Sequence, residues 1–328
     1  MPPTVLISSG PLRGKPGRFR EVLNGAGFEL IDPAGDHALT SEELAEFLPR
    51  CDAVVAGGEA YTAELIAACP RLRIIARTGV GYDAVDVEAA SARGIVVTIT
   101  PGANHDSVAE QAFALLLAVT RRIAWNDRIV RRGGWDRTLV MPLRGKTIGL
   151  VGLGRIGRAM IPRAEAFGLN VLAYDPLLPE LTGLGPGFRL VTFDELITRS
   201  DIISLHCPLT PETRKLFNGR VFERMRPGSI LINTARGAVV DEADLYDFLA
   251  RGHLSGAGLD VLELEPPDPA NPLLGLDNVV ISPHIAGIDT QAMADMAEMA
   301  AQAIVDHRAG SIRRECVVNP AVLEARGA

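Results

Sequence analysis

The stretch Thr147-Ile148-Gly149-Leu150-Val151-Gly152-Leu153-Gly154-Arg155-Ile156-Gly157 decides the fold. Residues of strand character run straight into G-x-G-x-x-G, and Arg158-Ala159-Met160 continue in a helical pattern. Glycines at Gly152, Gly154 and Gly157 permit a tight turn and let a pyrophosphate approach a helix N-terminus, where free N–H groups favour negative charge. The next strand-like run, Val171-Leu172-Ala173-Tyr174, ends in Asp175. A carboxylate roughly 20 residues beyond the glycines can accept hydrogen bonds from the adenine ribose hydroxyls. Its charge repels a 2′-phosphate, which selects NAD over NADP.

Working outward, short apolar runs alternate with helical patterns almost throughout. Before the glycine motif, strands are expected at 4–7, 29–31, 53–56, 73–76 and 96–99, with helices at 18–24, 41–47, 63–68 and 87–92. After it, strands are expected at 147–151, 170–174, 202–205, 230–233, 256–261 and 279–282, which is six, the number a complete dinucleotide-binding sheet needs. This rhythm specifies an α/β chain of doubly wound parallel sheets. A long helix begins near Ser107-Val108-Ala109-Glu110, which has capping-box form, and runs through Phe113, Leu116 and Leu117. A last helix is expected from about 290 to 307. Its Met293, Met296 and Met299 read as a packed face. Cys316 to Pro320 read as a short strand returning to the first domain.

The 328 residues suffice for two domains, and 47% hydrophobic against 22% charged residues argues for sizeable cores. A net charge of −7 gives no electrostatic footprint for nucleic acid or an anionic membrane. Cys51, Cys69, Cys207 and Cys316 are scattered without metal-ligand spacing and read as reduced thiols of a cytoplasmic protein. The opening Met1-Pro2-Pro3-Thr4-Val5-Leu6-Ile7-Ser8 does not have the form of a signal peptide. The apolar run from Ala112 to Val119 is far shorter than the ~20 residues that span a bilayer.

Chemistry is sought beyond the carboxyl ends of the strands. Three strands of the second series lead there to Asn233-Thr234-Ala235-Arg236-Gly237, to Asp260 and Glu263-Leu264-Glu265-Pro266, and to Ser282-Pro283-His284-Ile285-Ala286-Gly287. Reducing a carbonyl beside a nicotinamide requires a hydride on carbon and a proton on oxygen. Histidine is the side-chain type suited to the proton, which points to His284. Glu265 would orient the imidazole, and Arg236 would hold a substrate carboxylate and polarise the carbonyl.

These segments, with Thr78-Gly79-Val80-Gly81-Tyr82-Asp83, Pro101-Gly102-Ala103-Asn104, His206-Cys207-Pro208-Leu209-Thr210 and Gly258-Leu259-Asp260-Val261, closely resemble the D-2-hydroxyacid dehydrogenase family over essentially the full chain. The resemblance implies a Rossmann NAD-binding domain over 101–287, inserted into a flavodoxin-like substrate domain formed by 1–100 and 288–328. It implies Arg236, Glu265 and His284 as the catalytic set. Arg77, Val80 and Gly81 join Arg236 and His284 as substrate ligands, the Val80 and Gly81 amides facing the carboxylate. NAD would be held by Gly152, Gly154, Arg155, Ile156, Gly157, Asp175, His206, Pro208, Thr213, Thr234, Ala235, Asp260, His284 and Gly287. Substrate would enter a cleft between the domains, and the protein would be a homodimer with a contact near 124–135.

The remaining histidines read otherwise: His105 as a solvated loop residue, and His37, His253 and His307 as surface. No pair among the six has metal-ligand spacing, so no metal is expected. Arg121-Arg122 and Arg131-Arg132 read as solvated or interface faces, and Asn104 as structural. Relatives acting on 3-phosphoglycerate are expected to carry an arginine where this chain has Gly57-Gly58-Glu59-Ala60-Tyr61. Glu59 therefore favours a compact acid such as hydroxypyruvate or glyoxylate over a 3-phosphoglycerate-like acid, for which Arg77 could substitute in part, and no room is expected for an added regulatory domain. Formate dehydrogenases would pair the histidine with glutamine, where Glu265 stands here. A phosphite-oxidising relative and an NADH-sensing corepressor share the architecture and remain alternatives.

Overall fold

The computed structural model describes residues 2–35, 37–178 and 188–324. The chain divides into two compact units, one formed by Met1–Asn104 with Gly287–Ala328, the other by His105–Ala286. The extreme ends of the first expected domain, residues 1 and 325–328, lie outside the described residues.

The first unit is built on β1 (Thr4–Ile7), β2 (Glu29–Ile31), β3 (Ala53–Ala56), β4 (Ile74–Arg77) and β5 (Val96–Thr98), all parallel in the order β2-β1-β3-β4-β5. Strands covered on both faces read as continuous apolar runs. Successive residues nevertheless serve different cores, because side chains alternate across a sheet. Val5, Ile7, Val55 and Ala76 face a core with Phe19, Leu23, Ala297, Ala300 and Ile304. Leu6, Val54, Ile75 and Val97 face another with Leu44, Ile66 and Ala90. Met296 is buried in the helix Thr290–Ala309 and Met293 packs against the first of these cores, while Met299, expected on the same face, is only half-buried.

The second unit holds β6 (Thr147–Val151), β7 (Asn170–Tyr174), β8 (Phe188–Leu190), β9 (Ile202–Leu205), β10 (Ser229–Asn233), β11 (Leu254–Leu259) and β12 (Val279–Ile281), parallel in the order β12-β11-β10-β9-β6-β7-β8. Two cores again flank the sheet. One contains Ile203, Leu205 and Leu231 with Leu196, Phe222 and Leu245, and the other Ile202, Ile230 and Ile232 with Phe113, Leu116 and Met160. Both sheets are doubly wound.

Several elements differ from expectation. Among the described residues the sheet has seven strands, not six: Phe188-Arg189-Leu190 adds one, pairing with β7 through three residues, too few to show a periodicity. The long helix starts at His105, so Ser107 is no N-cap; its hydroxyl lies in the first turn and donates to the Ala286 carbonyl at 2.7 Å. The expected terminal strand is instead a turn at Arg314–Cys316 followed by an isolated antiparallel bridge from Val317 to Thr98. No described helix is long and apolar enough to cross a membrane.

Candidate active site

In the second unit the strand order reverses between β6 and β9, the point at which an open parallel sheet offers a ligand crevice. The glycine loop leaves β6 here. Gly152 has φ 96°, and a Cβ on it would lie 2.8 Å from the Cys207 nitrogen and the His206 carbonyl at the end of β9. A Cβ on Gly157 would fall 2.1 Å from the Gly152 carbonyl oxygen. Both glycines are therefore required by close backbone approach. Gly154 differs: it caps the helix Arg155–Ala166 in extended conformation, and a Cβ on it would meet nothing within 4 Å. Asp175 follows β7 and accepts from the amides of Leu153 at 2.9 Å and Leu177 at 3.0 Å, which ties its carboxylate to the glycine loop.

Polar atoms left over at these strand ends point the same way. The His206 Nε2 meets the Ser204 hydroxyl at 2.9 Å, while its Nδ1 is buried without a hydrogen-bond partner, and desolvation pushes the imidazole down to about 3. The Thr234 hydroxyl, just past β10, is likewise buried and unpartnered. Buried polar atoms are rarely left unsatisfied. A cradle that only glycine permits, a loop-bound carboxylate and two orphaned polar atoms fit a dinucleotide. Pro208 and Thr213 belong to a loop closed on itself, since the Thr213 hydroxyl donates to the Pro208 carbonyl at 2.7 Å. Arg155 is exposed and Ile156 half-buried at the helix start, and Ala235 is buried.

Arg236, Glu265 and His284 come together at the carboxyl ends of β10, β11 and β12. Asn233 staples the first of these turns, accepting from the Ala235 amide at 3.0 Å and donating to the Arg236 carbonyl at 2.9 Å. Gly237 lets that turn cross the next one, because a Cβ there would fall 1.9 Å from the Leu262 carbonyl. Glu265 accepts from the Leu262 amide through Oε1 at 2.9 Å, and its Oε2 lies 2.6 Å from the His284 Nδ1. Burial works to raise the Glu265 carboxyl, but the hydrogen bond and charge of His284, the Leu262 amide and the Arg236 charge outweigh it and hold it below its ordinary value. The His284 side chain is 48% exposed, so its ring is anchored on one side and open on the other. Such an arrangement can deliver or accept a proton.

His284 has φ 54°, an uncommon conformation for a side-chain-bearing residue. Asp260, 1% exposed, gathers the turn around it. Its main-chain carbonyl accepts from the His284 amide at 2.8 Å, and its carboxylate accepts from Ser282 Oγ at 2.6 Å, the Ile285 amide at 3.1 Å and the Ala286 amide at 2.8 Å.

In the first unit, Arg77 ends β4, is 9% exposed, and donates through Nε to the Gly81 carbonyl at 3.0 Å. This bond folds the loop that carries Val80 and Gly81, and no hydrogen bond to either of their amides is found among the described residues. Beside it, Glu59 is buried and accepts from the Gly57 amide at 2.9 Å and Ser8 Oγ at 3.1 Å. Gly287 opens the returning segment of this unit, where a Cβ would meet Asn104 Nδ2 at 2.8 Å.

His105 is no loop residue: it starts a helix beside Asp106, at 3.4 Å. His253 and His307 are half-buried, the His253 Nε2 donating to the Met225 carbonyl at 3.1 Å and its ring lying edge-on to Phe248. His37 is exposed beside Glu43. Among the described residues no cluster of side chains could hold a metal ion. Sequence reasoning missed the bonds made by Asn233, by Ser282 and by Gln111, whose Nε2 donates to Ser282 Oγ at 2.9 Å. Only Asn233, a strand-terminal residue prone to bonding its own backbone, carried a signal that could have found it.

Residues 113–286 match the family model described as "D-isomer specific 2-hydroxyacid dehydrogenase, NAD binding domain". The chain is also 42% identical over 307 residues to a glyoxylate reductase of Korarchaeum cryptofilum, covering 91% of this chain and 92% of that one. The chain belongs to the D-isomer-specific 2-hydroxyacid dehydrogenase family. The matched model is that of the family's NAD-binding domain, so residues 113–286 form a module of that type. It is 44% identical over 287 residues to a D-3-phosphoglycerate dehydrogenase of Archaeoglobus fulgidus, matching 87% of this chain but spanning only about half, 54%, of that protein. A crystal structure of the NAD-dependent formate dehydrogenase from Staphylococcus aureus in complex with NAD superposes with a TM-score of 0.86 at 29% identity, covering 96% of this chain and 98% of that one.

Proposed function

We propose that this dehydrogenase interconverts a compact, unphosphorylated 2-oxo acid and its D-2-hydroxy acid, of the glyoxylate or hydroxypyruvate kind, using NAD. The observation that carries the reading is the 2.6 Å contact between His284 Nδ1 and Glu265. A ring anchored through Nδ1 leaves Nε2 as the atom that exchanges a proton with the substrate oxygen. NAD, when bound, would supply the hydride chemistry. Arg236 grips the substrate carboxylate and polarises the carbonyl; in the other unit, the Val80 and Gly81 amides, without a hydrogen-bond partner among the described residues, are donors of the kind a carboxylate accepts from. The unit 105–286 is the cofactor domain, and 1–104 with 287–328 the substrate domain.

Glu59 supports the choice of substrate. A buried carboxylate in the loop after β3 would repel a substrate phosphate there, which favours the activity named for the glyoxylate reductase relative over that named for the phosphoglycerate dehydrogenase. Paired with His284, Glu265 also stands against formate oxidation. Steady-state kinetics with glyoxylate, hydroxypyruvate and phosphohydroxypyruvate test this choice: the unphosphorylated acids should give the higher kcat/KM, and a preference for the phosphorylated acid would refute it.

Asp175 is proposed to hold the adenine ribose with its free lone pairs. Substituting it with alanine removes the charge opposed to a 2′-phosphate, so the preference for NADH over NADPH should shrink by about tenfold or more. An unchanged ratio of kcat/KM for the two cofactors would remove Asp175 from this role.

Homodimerisation is proposed through 124–135. The helix Ile123–Arg131 has no buried residue, and Ile123, Val130 and Trp135 are 57%, 50% and 77% exposed. Exposed apolar surface of this kind marks interaction sites. Light scattering should give a dimer that Val130→Glu with Trp135→Glu converts to monomer; a wild-type monomer at micromolar concentration would contradict the assignment.

A further inference from the structure

The turn that carries His284 is held by more than its own sequence. His284 sits at φ 54°, and residues in such sparsely populated conformations persist only when their surroundings over-determine them. Three successive amides, those of His284, Ile285 and Ala286, all converge on Asp260. The Asp260 carboxylate is itself fixed by Ser282 Oγ at 2.6 Å, and Ser282 Oγ in turn accepts from Gln111 Nε2 at 2.9 Å. Gln111 projects from the helix His105–Thr120, whose Ser107 hydroxyl holds the far end of the turn through the Ala286 carbonyl at 2.7 Å. The helix therefore grips the turn at both ends, two residues before and two residues after the histidine.

We propose that Ser282 and Gln111 are positioning residues for the proton donor, forming a Gln111–Ser282–Asp260 chain that keeps His284 in its left-handed conformation and its ring aligned on Glu265. The proposal rests on His284 being the proton-exchanging group. Neither Ser282 nor Gln111 reaches substrate in this scheme; each acts through the backbone of the turn. Gln111 donates, and Ser282 accepts that bond and donates its own hydrogen to the buried carboxylate, so the direction of both bonds is fixed. Loss of one member lets the turn relax toward ordinary φ and displaces the ring, and a displacement of about 1 Å at a reacting group can cost on the order of a hundredfold in rate.

Ser282→Ala should lower kcat by about 10- to 100-fold while the 2-oxo acid KM and the NADH Kd stay within about twofold. Ser282→Thr, which keeps the hydroxyl, should recover most of the rate. Gln111→Leu should give a smaller loss of about threefold to tenfold in kcat, and it carries the test if Ser282→Ala fails to fold, since Gln111 is a half-buried side chain on a helix surface. The ring nitrogen resonances of His284, followed by NMR in the absence of substrate, should shift or broaden in Ser282→Ala and Gln111→Leu and return in Ser282→Thr. Unchanged kcat and unchanged ring resonances in the alanine and leucine variants would overturn the proposal. So would a parallel fall of kcat, NADH affinity and thermal stability, which would mean only a damaged fold. If the wild-type protein turned over no 2-oxo acid, the functional reading would fail by itself, because the ring resonances still report whether this network holds His284.

Discussion

Replacing His284 with alanine is expected to lower kcat for 2-oxo acid reduction by about 10²–10⁴, a far larger effect than on NADH affinity, most of whose contacts lie elsewhere. The size follows from the loss of general acid catalysis, equivalent to about 3–5 kcal/mol of transition-state stabilisation. The contrast between kcat and cofactor binding follows from geometry. The glycine loop, Asp175 and His206 lie on β6, β7 and β9, whereas His284 follows β12 at the opposite end of the sheet order. Glu265→Gln should give an intermediate loss: the glutamine can still meet Nδ1, but it cannot supply the negative charge that stabilises an imidazolium. A His284→Ala enzyme with near-normal kcat would remove the histidine from the mechanism.

The second large effect concerns the glycine loop, where two alanine substitutions should fail for different reasons. In the helix Arg155–Ala166, Gly157→Ala gains helix propensity of about 1 kcal/mol. Against this stands a Cβ 2.1 Å from the Gly152 carbonyl oxygen, a backbone atom that no side-chain rotation can clear. Overpacking of that kind costs about 1–3 kcal/mol or more and must shift the helix away from β6. Stability and NADH affinity should therefore fall together, the affinity by about a hundredfold. Gly154→Ala should leave thermal stability near wild type, since its Cβ would meet nothing. NADH affinity should still drop by about tenfold or more, because the space a Cβ takes lies at the helix N-terminus where a pyrophosphate approaches. Calorimetric titration with NADH beside thermal unfolding separates the two cases. A Gly154→Ala protein that binds NADH normally would argue that the loop holds no dinucleotide.

Much of this is legible in the sequence because parallel strands buried on both faces announce themselves as apolar runs, and because parallel connectivity sends every strand's carboxyl end to one edge. Arg236, Glu265 and His284 could be picked out as residues just past such ends, and they do converge there. Elements whose signal is short or non-local were not legible. β8 pairs through three residues. Ser107 begins an apparent capping box, yet its hydroxyl is taken by Ala286, far away in sequence. Asp260 reads as a residue beside the nicotinamide; that its carboxylate also gathers donors from its neighbouring turn is set by the fold of β11 against β12. Gln111 offered no signal at all, since a glutamine one step along an apolar helix face is indistinguishable from a solvated one until its partner Ser282 is placed.

The most direct test is NADH consumption by the wild-type protein with glyoxylate, hydroxypyruvate and phosphohydroxypyruvate, run beside the His284→Ala variant. The account predicts turnover on an unphosphorylated acid that the variant loses. NADH that binds tightly but is consumed with none of these acids would contradict it.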